Sequence, residues 1–390
     1  MFAYVIRRLV YGAVTLLALS MVVFWLLQKT GASPLDRLKL NPRIQPDYLA
    51  SLTERYGLDK SGPEQYWIWL KRFVTPREAS IGGLPSILAI SAGVAYSVLA
   101  SRFIKSRQFA VRIAKIGAGV LIWGFVLFTV WNRMNIVLDW GDSFRGDGPV
   151  FEDITLAAGA SFRLGMTALF LAVMIGIPLG IYQATKQYSF FDQLGTTFSF
   201  VAFSTPIFII GVFLQLGLGL YLERWTGVKL FYVAGMTSSS YESFTTLQRA
   251  GDILQHLALP AISIAAISLA GYSRFQRASM LEVLHSDYLR TAKAKGLPRR
   301  RVILKHALRN AMIPIVTLIS LDIASIIGGA IITESIFGWP GVGRLYIDAI
   351  NAVDYPAIMA VVMAIGAGIV VMNIVADILY GVLDPRVRYE

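Results

Sequence analysis

Long apolar runs alternate with shorter polar segments along the whole chain. A helix needs about 20 apolar residues to cross a bilayer. Eight runs come close to that length, namely residues 10–27, 84–100, 116–131, 160–182, 196–220, 257–271, 313–336 and 357–380. The pattern predicts an all-α polytopic membrane protein with about eight transmembrane helices, without an internal repeat or a soluble domain.

The charges between the apolar runs predict the orientation of the chain. Cytoplasmic segments of membrane proteins carry an excess of lysine and arginine. Residues 102–115 contain five basic residues and no acid, whereas residues 132–153 contain five acids and two arginines. We therefore place the first segment in the cytoplasm and the second outside. Eight spans then leave both termini in the cytoplasm, in a multi-pass protein of the cell membrane.

Composition supports the membrane class and excludes several kinds of site. Of 390 residues, 55% are hydrophobic and 15% are charged, whereas soluble domains are about one quarter charged. The net charge of +12 lies mostly beside the spans, where it orients the protein and meets anionic lipid, so we predict no nucleic-acid partner. The absence of cysteine excludes disulfides, thiol catalysis and zinc–thiolate sites.

The three histidines, His256, His285 and His306, lack metal-ligand spacing. We interpret His256 as an interfacial residue and the other two as residues of a polar face. No metal or cofactor site is predicted on this chain.

Residues 272–314 form the longest polar segment in the second half, and apolar runs flank it on both sides. The segment has ten basic residues and only two acids, which predicts a cytoplasmic location. Asp287 is a candidate N-cap for a short helix over residues 288–295, and Gly296 is its candidate C-terminal stop. Pro298 suits the first turn of a second helix.

The second helix of this segment is predicted to be amphipathic. The spacing places Leu304, Ala307, Leu308 and Ala311 on one face, and Arg301, Lys305 and Arg309 on another. Two short helices held between spans favour a docking platform for a cytoplasmic partner, rather than a basic loop that only sets topology.

Small residues and prolines interrupt several predicted spans. Gly176 and Gly180 are four residues apart with Pro178 between them, Pro206 lies within the run 196–220, and paired glycines occupy 328–329. Such residues allow close helix packing and bends. Tight packing and a hinge or pathway role are both compatible with this pattern.

Three sequence motifs resemble a known family. The segment DYLRTAKAKGLPRRRVILKHALRNAMIP is similar to the cytoplasmic loop of the oligopeptide/dipeptide permeases of ABC importers, the inner-membrane components of binding-protein-dependent transport systems. GGAIITESIFGWPGVGRL resembles the family's penultimate helix end and external turn, and ADILYGVLDPRVRY resembles its C-terminal tail. The resemblance covers roughly residues 1–72 and 138–390 and implies the family's type I ABC-importer permease bundle.

The chain departs from this family in two places. Such permeases usually have six spans, and residues 74–137 hold an extra apolar pair. The generic motif of importer permeases, Glu-Ala-Ala and a later Gly, falls here on Arg290, Thr291, Ala292 and Gly296, so only the last Ala and the Gly are kept. We therefore divide the chain into a first transmembrane helix (1–28), an external segment (29–83), an inserted hairpin (84–131), a second external segment (132–159) and a core permease domain (160–390) with a coupling segment (273–312).

The resemblance implies partners and a role for the coupling segment. The sequence lacks the P-loop motif G-x-x-x-x-G-K-[ST], so ATP and Mg²⁺ would bind to separate subunits. The implied partners are a second homologous permease, two ATPase subunits and an extracytoplasmic substrate-binding protein. This chain would be a non-catalytic membrane subunit for di- or oligopeptides. The expected ATPase-coupling residues are Asp287, Tyr288, Arg290, Thr291, Ala292, Lys295 and Gly296.

Other functions stay open at this point. Relatives of the family also move nickel, oligosaccharides or glutathione. A different class is an ATP-independent secondary carrier, which would predict inverted repeats. An intramembrane protease would need paired catalytic residues within spans, where only Asp322 is well placed. Asp322 either lines a substrate pathway or is a protonated or hydrogen-bonded acid packed against the partner permease.

Overall fold

A computed structural model describes residues 2–30, 39, 46–74, 139–144, 148–326 and 328–383, without the side chains of residues 2–6, 293, 320, 324 and 375–383. These residues contain no β-strand, and one isolated β-bridge joins Asp142 to Pro149. The chain forms two compact units. Unit 1 contains Met1–Val22, Glu152–Asp354 and Ile358–Glu390, and unit 2 contains Val23–Phe151 and Tyr355–Ala357.

The helices are numbered here in chain order. They are α1 (Phe2–Lys29), α2 (Pro46–Tyr56), α3 (Gly62–Val74), α4 (Val150–Thr185), α5 (Phe190–Ser204), α6 (Ile207–Leu214), α7 (Leu222–Thr226), α8 (Thr246–Leu284), α9 (Asp287–Ala294), α10 (Arg299–Arg301), α11 (Leu308–Ala311), α12 (Ile313–Ile326), α13 (Ile331–Ile336), α14 (Val342–Ala352) and α15 (Tyr355–Leu383). Two π-helical stretches, Gln215–Tyr221 and Val302–Ala307, connect α6 to α7 and α10 to α11.

The described residues contain five helices that are long and apolar enough to cross a membrane. These are Arg7–Lys29, Val150–Thr185, Ile207–Thr226, Thr246–Leu284 and Tyr355–Ile374. A sixth span results if Arg299–Ala311 and Ile313–Ile323, which are bent by 52°, are taken together. The predicted pair of spans at 84–100 and 116–131 lies outside the described residues, so the total of eight spans stays a prediction.

Two predicted spans have different boundaries in the structure. The run 196–220 is not one helix, because α5 ends at Ser204 and α6 begins at Ile207. Pro206 has no backbone N–H and disfavours helical conformation in the preceding residue, and Thr205 is accordingly extended, with φ −88° and ψ 125°. The run 313–336 also breaks, between α12 and α13, where Gly329 adopts a φ of 72°.

The predicted span 257–271 is only the middle of a much longer helix. α8 has 39 residues, which corresponds to roughly 58 Å at the usual rise per residue. The helix therefore continues beyond the apolar run to Leu284. The first twelve residues of the predicted coupling segment belong to this helix rather than to a loop.

Unit 1 has its core on one face each of α4 and α8. The buried positions of α4 are mostly small, including Ala160, Ala168 and Ala172, while Phe162 and Phe170 on the same helix are exposed. Small residues inside and large apolar residues outside are typical of helices that pack in a membrane, because lipid tails solvate exposed apolar side chains and small residues allow close helix contact. This arrangement brings the α4 and α8 backbones close together.

Unit 2 is held by aromatic side chains and two ion pairs. Successive rings at 5.1–5.9 Å centroid distances connect α1, α2, α3 and the residues before α4, and they include Phe24–Tyr66, Tyr66–Trp69, Trp69–Phe73, Phe73–Trp140, Trp140–Phe151 and Tyr56–Phe144. Arg72 binds Asp139 at 2.6 Å and Arg55 binds Asp142 at 2.5 Å. The described residues on either side of the 75–138 stretch are thereby held together.

Candidate functional site

The first short helix of the coupling segment forms where the sequence predicts it, within one residue. α9 covers Asp287–Ala294. The backbone N–H groups of Leu289 and Arg290 donate to the carbonyl of Ser286. Ser286 thus takes the cap position predicted for Asp287. Gly296 has a φ of 74°, a conformation that glycine adopts without steric cost, and it ends the helix as predicted.

α9 rests on a small apolar core inside unit 1. Its Leu289 is fully buried and packs in one cluster with Ala184 of α4 and Met280 of α8. Two further bonds brace the segment: Asn310 Nδ2 donates to Tyr288 Oη at 2.7 Å, and Arg299 Nη2 donates to the Thr185 carbonyl at 3.3 Å. The helix is therefore supported from beneath by three other elements.

The predicted coupling residues divide into an exposed set and one partly buried residue. Five of them have exposed side chains, namely Asp287, Tyr288, Arg290, Thr291 and Lys295. Ala292 instead packs partly against the Leu289 cluster of its own chain. Asp287 and Arg290 lie 3.5 Å apart and are both highly exposed, a geometry that contributes little stability.

The predicted face of the second helix is partly wrong. Ala307 and Ala311 are fully buried as expected, but Leu304 is 48% exposed and Val302 takes its place in the core. The cause is the π-helical turn Val302–Ala307, which bonds i to i+5 and rotates the following residues relative to an α-helix. A periodicity of 3.6 residues therefore misassigns the first half of this helix.

A polar network joins α4, α5 and α8 at the end of unit 1 that carries α9. Arg277 makes two bonds to the Asp192 carboxylate, at 2.8 and 3.0 Å, and these lower the pKa of Asp192 below its ordinary value. Ser273 Oγ donates to Gln183 Oε1 at 2.6 Å. Beside them the fully buried Gln276 has no hydrogen-bond partner within the described residues for either amide atom.

α4 and α8 approach each other closely at Gly176 and Gly180, which flank Pro178 in α4. A Cβ on Gly176 would lie 3.0 Å from the Leu269 carbonyl, and one on Gly180 would lie 2.5 Å from the Ser273 carbonyl. Pro178 is exposed and α4 continues through it without a break. Close packing thus accounts for both glycines.

Asp322 has a partner within its own chain. Tyr272 of α8 is almost fully buried and its hydroxyl donates to Asp322 Oδ2 of α12. This bond connects the two helices in the middle of a predicted span. Whether Asp322 also faces a pathway or a second permease stays a prediction.

The opposite end of unit 1 is organised by a buried acid that sequence reasoning missed. Glu334 is fully buried, and its carboxylate accepts from Ser161 Oγ at 2.6 Å and from the backbone N–H groups of Ala330 and Arg344, each at 3.1 Å. Trp339, also fully buried, donates from Nε1 to the Ala160 carbonyl at 2.9 Å. The glycine-rich turn after α13 wraps around this carboxylate.

A second buried polar cluster contains His256. This histidine is buried within the protein, and its ring stacks on Tyr232 with centroids 4.0 Å apart; its place at the membrane interface stays a prediction. Its Nδ1 lies 2.8 Å from the Asp252 carbonyl, and the Asp252 carboxylate accepts the Ser238 N–H at 2.9 Å. The four-residue spacing of Asp252 and His256 at the start of α8 was the available sequence signal.

Nothing in the described part of the chain brings three or more metal-ligating side chains together. The buried polar groups of unit 1 instead bind backbone groups and one another. The long apolar helices and the small buried residues between them define the class, which is a multi-pass helical membrane protein.

Comparison with known proteins identifies the family. The sequence-family model for the binding-protein-dependent transport system inner membrane component matches residues 176–389. The family model for the N-terminal region of such components matches residues 1–98. The chain belongs to this family, in the branch of oligopeptide/dipeptide ABC-importer permeases. It is accordingly the permease type of subunit.

Individual relatives agree with the family assignment. The dipeptide transport system permease protein DppB of Escherichia coli K12 is 38% identical over 299 residues, covering 74% of this chain and 88% of the relative. DppB of Alkalihalophilus pseudofirmus is 30% identical over 415 residues and covers both chains completely, including the stretch 74–137 of this chain. The oligopeptide transport system permease protein AppB of Bacillus subtilis is 38% identical over 266 residues, covering 68% and 81%.

Among solved structures, the MetNI methionine ABC transporter in an inward-facing conformation has a similar chain. It has a TM-score of 0.46 and 12% identity, and it covers 60% of this chain and 98% of that one.

Proposed function

We propose that this chain is one of two membrane subunits of an ATP-driven importer for di- or oligopeptides. The relatives named as dipeptide and oligopeptide permeases support this substrate class. The partners would be a second homologous permease, two ATPase subunits that bind ATP and Mg²⁺, and an external substrate-binding protein. The sequence has no P-loop of its own, which is compatible with this division of labour.

The observation that carries the proposal is the exposed face of α9 on a rigid base. Tyr288, Thr291 and Lys295 face outward, while Leu289 on the opposite side is locked into the apolar cluster beneath. A force applied to the exposed face would therefore pass to α4 and α8 rather than unfold the segment. ATP-driven closure of the ATPase pair would then shift the permease between two states by differential contacts with this helix.

The orientation follows from the same assignment. The α9 side of unit 1 would face the cytoplasm, the Glu334 turn would face outward, and both termini would be cytoplasmic. The division into external segments, an inserted hairpin and a core permease domain is proposed on the same grounds. The hairpin leaves the downstream orientation unchanged because it adds an even number of spans.

Asp322 is proposed to hold α12 against α8 rather than to select substrates. In reconstituted vesicles with the binding protein and ATPase subunits, we expect labelled peptide uptake by the wild type. Asp322→Asn and Tyr272→Phe should each cost about 1 kcal/mol of stability, since bonds between helices in membranes are modest. Both variants should lower the uptake of neutral and cationic peptides by the same factor.

Two results would contradict these assignments. A selective loss of cationic peptide uptake in Asp322→Asn, with Tyr272→Phe unaffected, would instead place Asp322 in the substrate pathway. If the wild-type complex takes up no peptide while its binding protein carries another solute, the peptide assignment is wrong and the importer assignment stands.

The coupling role can be tested by cross-linking, because the chain contains no cysteine. A Thr291→Cys variant labelled with a benzophenone maleimide places a photoreactive group on the exposed face of α9. In the assembled transporter we expect an adduct with an ATPase subunit, with a yield that changes when ATP is added. Ser240→Cys, exposed at the other end of unit 1, is the matched control and should give no such adduct. An assembled complex without a Thr291→Cys adduct would refute the coupling role.

A further inference from the structure

The second short helix of the segment carries a basic face that the coupling role does not use. Arg300, Arg301, Lys305 and Arg309 are all exposed, and none forms an ion pair with an acid of the described residues. Arg277 shows the contrast, since it is bound to Asp192. Four uncompensated cations on one short stretch repel one another unless a counter-charge is supplied from outside.

The orientation of this face is set by the residues behind it. Val302, Ala307 and Ala311 are buried to 1% or less in the cluster beneath α9, and Arg299 is bound to the Thr185 carbonyl. The helix therefore cannot roll to bring its cations against the protein. The π-helical turn keeps Val302 and Ala307, five residues apart, on the buried side.

The cations precede the apolar run 313–336, which the sequence predicts to be a span. α12 begins this run at Ile313, and the stretch Arg299–Ala311 is bent by 52° from Ile313–Ile323. At this angle each residue advances about 0.9 Å along the direction of the span, so Arg300 lies roughly 12 Å from the start of α12 in that direction. The headgroup layer is about 5–7 Å thick on each side of the hydrocarbon, and lysine and arginine side chains extend several ångströms.

Exposed apolar side chains accompany the cations. Leu304 is 48% exposed and Ile313 is 46% exposed, so the basic face continues into the apolar surface of α12. A mixture of cations and large apolar residues that merges with a span is the chemistry of the membrane interface. A soluble partner would have to bury the same leucine while avoiding the bilayer beside it.

We propose that the face formed by Arg300, Arg301, Lys305 and Arg309 binds the phosphate groups of anionic phospholipids in the adjacent leaflet. Leu304 would lie at the level of the headgroups beside the cations, since the same rise places it about 8 Å before the start of α12. α9 would then contact the ATPase while the following helix contacts the bilayer, which would give the coupling segment a lipid-bound support. This inference requires only that the chain spans a membrane, so it can fail or succeed independently of the coupling role.

The test is lipid enrichment around the complete transporter. The complex is extracted from vesicles of equal parts phosphatidylglycerol and phosphatidylcholine, and the retained lipids are counted by native mass spectrometry. We expect the wild type to retain more phosphatidylglycerol than phosphatidylcholine. In the variant R300Q/R301Q/K305Q/R309Q this ratio should fall at least about tenfold, because each cation near the surface strengthens binding to anionic lipid about fivefold. The variant R300K/R301K/R309K should keep the preference.

Matched pairs protect the test against misfolding. K305Q/R309Q removes two charges from the basic face, and R290Q/K295Q removes two from α9, which should leave the lipid preference unchanged. An unchanged preference in both K305Q/R309Q and the fourfold variant would overturn the proposal. So would a benzophenone at Lys305→Cys that reacts with an ATPase subunit instead of with lipid.

Discussion

Replacing Glu334 by alanine is expected to destabilise the turn that follows α13 and to lower the stability of the folded protein. The buried carboxylate accepts three hydrogen bonds, from Ser161 and from the backbone of Ala330 and Arg344. The alanine variant leaves these buried donors unpaired, which costs at least about 3 kcal/mol in total. We expect the midpoint of thermal aggregation in detergent to fall by on the order of 5–10 °C.

The glutamine variant separates charge from shape at this position. Glu334→Gln can keep one acceptor oxygen but places an NH₂ group against the donors at the other oxygen. The loss should therefore lie between those of the wild type and of the alanine variant. Glu242→Ala is the matched control, because the Glu242 side chain is 92% exposed and should be replaceable without measurable loss. Equal midpoints for Glu334→Ala and Glu242→Ala would show that the buried carboxylate does not hold the turn.

The backbone around Glu334 explains why this turn is rich in glycine. A Cβ on Gly341 would lie 2.3 Å from the carboxyl carbon of Glu334. Gly329 has a φ of 72°, and a Cβ added there would lie 2.9 Å from the backbone nitrogen of Gly343. Neither position has room for a side chain. The carboxylate and the glycines therefore form one structural unit.

Gly180→Ala is expected to push α8 away from α4. The added methyl would lie 2.5 Å from the Ser273 carbonyl and 3.1 Å from the Arg277 nitrogen, and backbone atoms cannot rotate out of the way. Overpacking of this kind costs about 1–3 kcal/mol. We expect a lower midpoint of thermal aggregation, by about 3–8 °C, and peptide uptake that falls with the fraction of folded complex.

Gly159→Ala in the same helix is the control for this prediction. Its Cβ would meet no atom within 4 Å, so the methyl is accommodated. Alanine is favoured over glycine inside a helix by about 0.5–1 kcal/mol, and this variant should be neutral or slightly more stable. If Gly180→Ala behaved like Gly159→Ala, the two helices would not be in the close contact described here.

The Gly180 contact bears on how the proposed coupling would act. α4 and α8 meet without intervening side chains at Gly176 and Gly180, and Gln183 and Asp192 add hydrogen bonds at the same end. Helices packed this closely move together. A displacement of α9 would therefore be transmitted along both helices, rather than absorbed between them.

Several elements could be predicted from the sequence because their causes are local. The apolar runs of α1, α4 and α15 are long enough to define spans by length and hydropathy alone. α9 and the stop at Gly296 follow from capping signals and from the conformational freedom of glycine. The break before α6 agrees with the bend that Pro206 is predicted to allow, since a proline restricts the residue before it, although the predicted span 196–220 runs across the break.

Other features depend on contacts between residues far apart in the chain. The residues near Glu334 in the sequence do not predict its hydrogen bond from Ser161, which is 173 residues away. The burial of His256 was not predictable, because it depends on Tyr232, which lies 24 residues earlier in the chain. The face of the second helix was misassigned because its π-helical register is compatible with packing of Val302 and Ala307 against α9, a constraint that periodicity does not contain.

The sequence by itself determined the membrane class, the approximate places of the spans and the helix proposed to meet a partner, since hydropathy, charge and capping act over a few neighbouring residues. Only the tertiary structure decided which polar groups are buried, which glycines lack room for a side chain and which cations face outward. Those properties depend on what lies opposite each side chain, and that is set by the packing of elements distant in sequence.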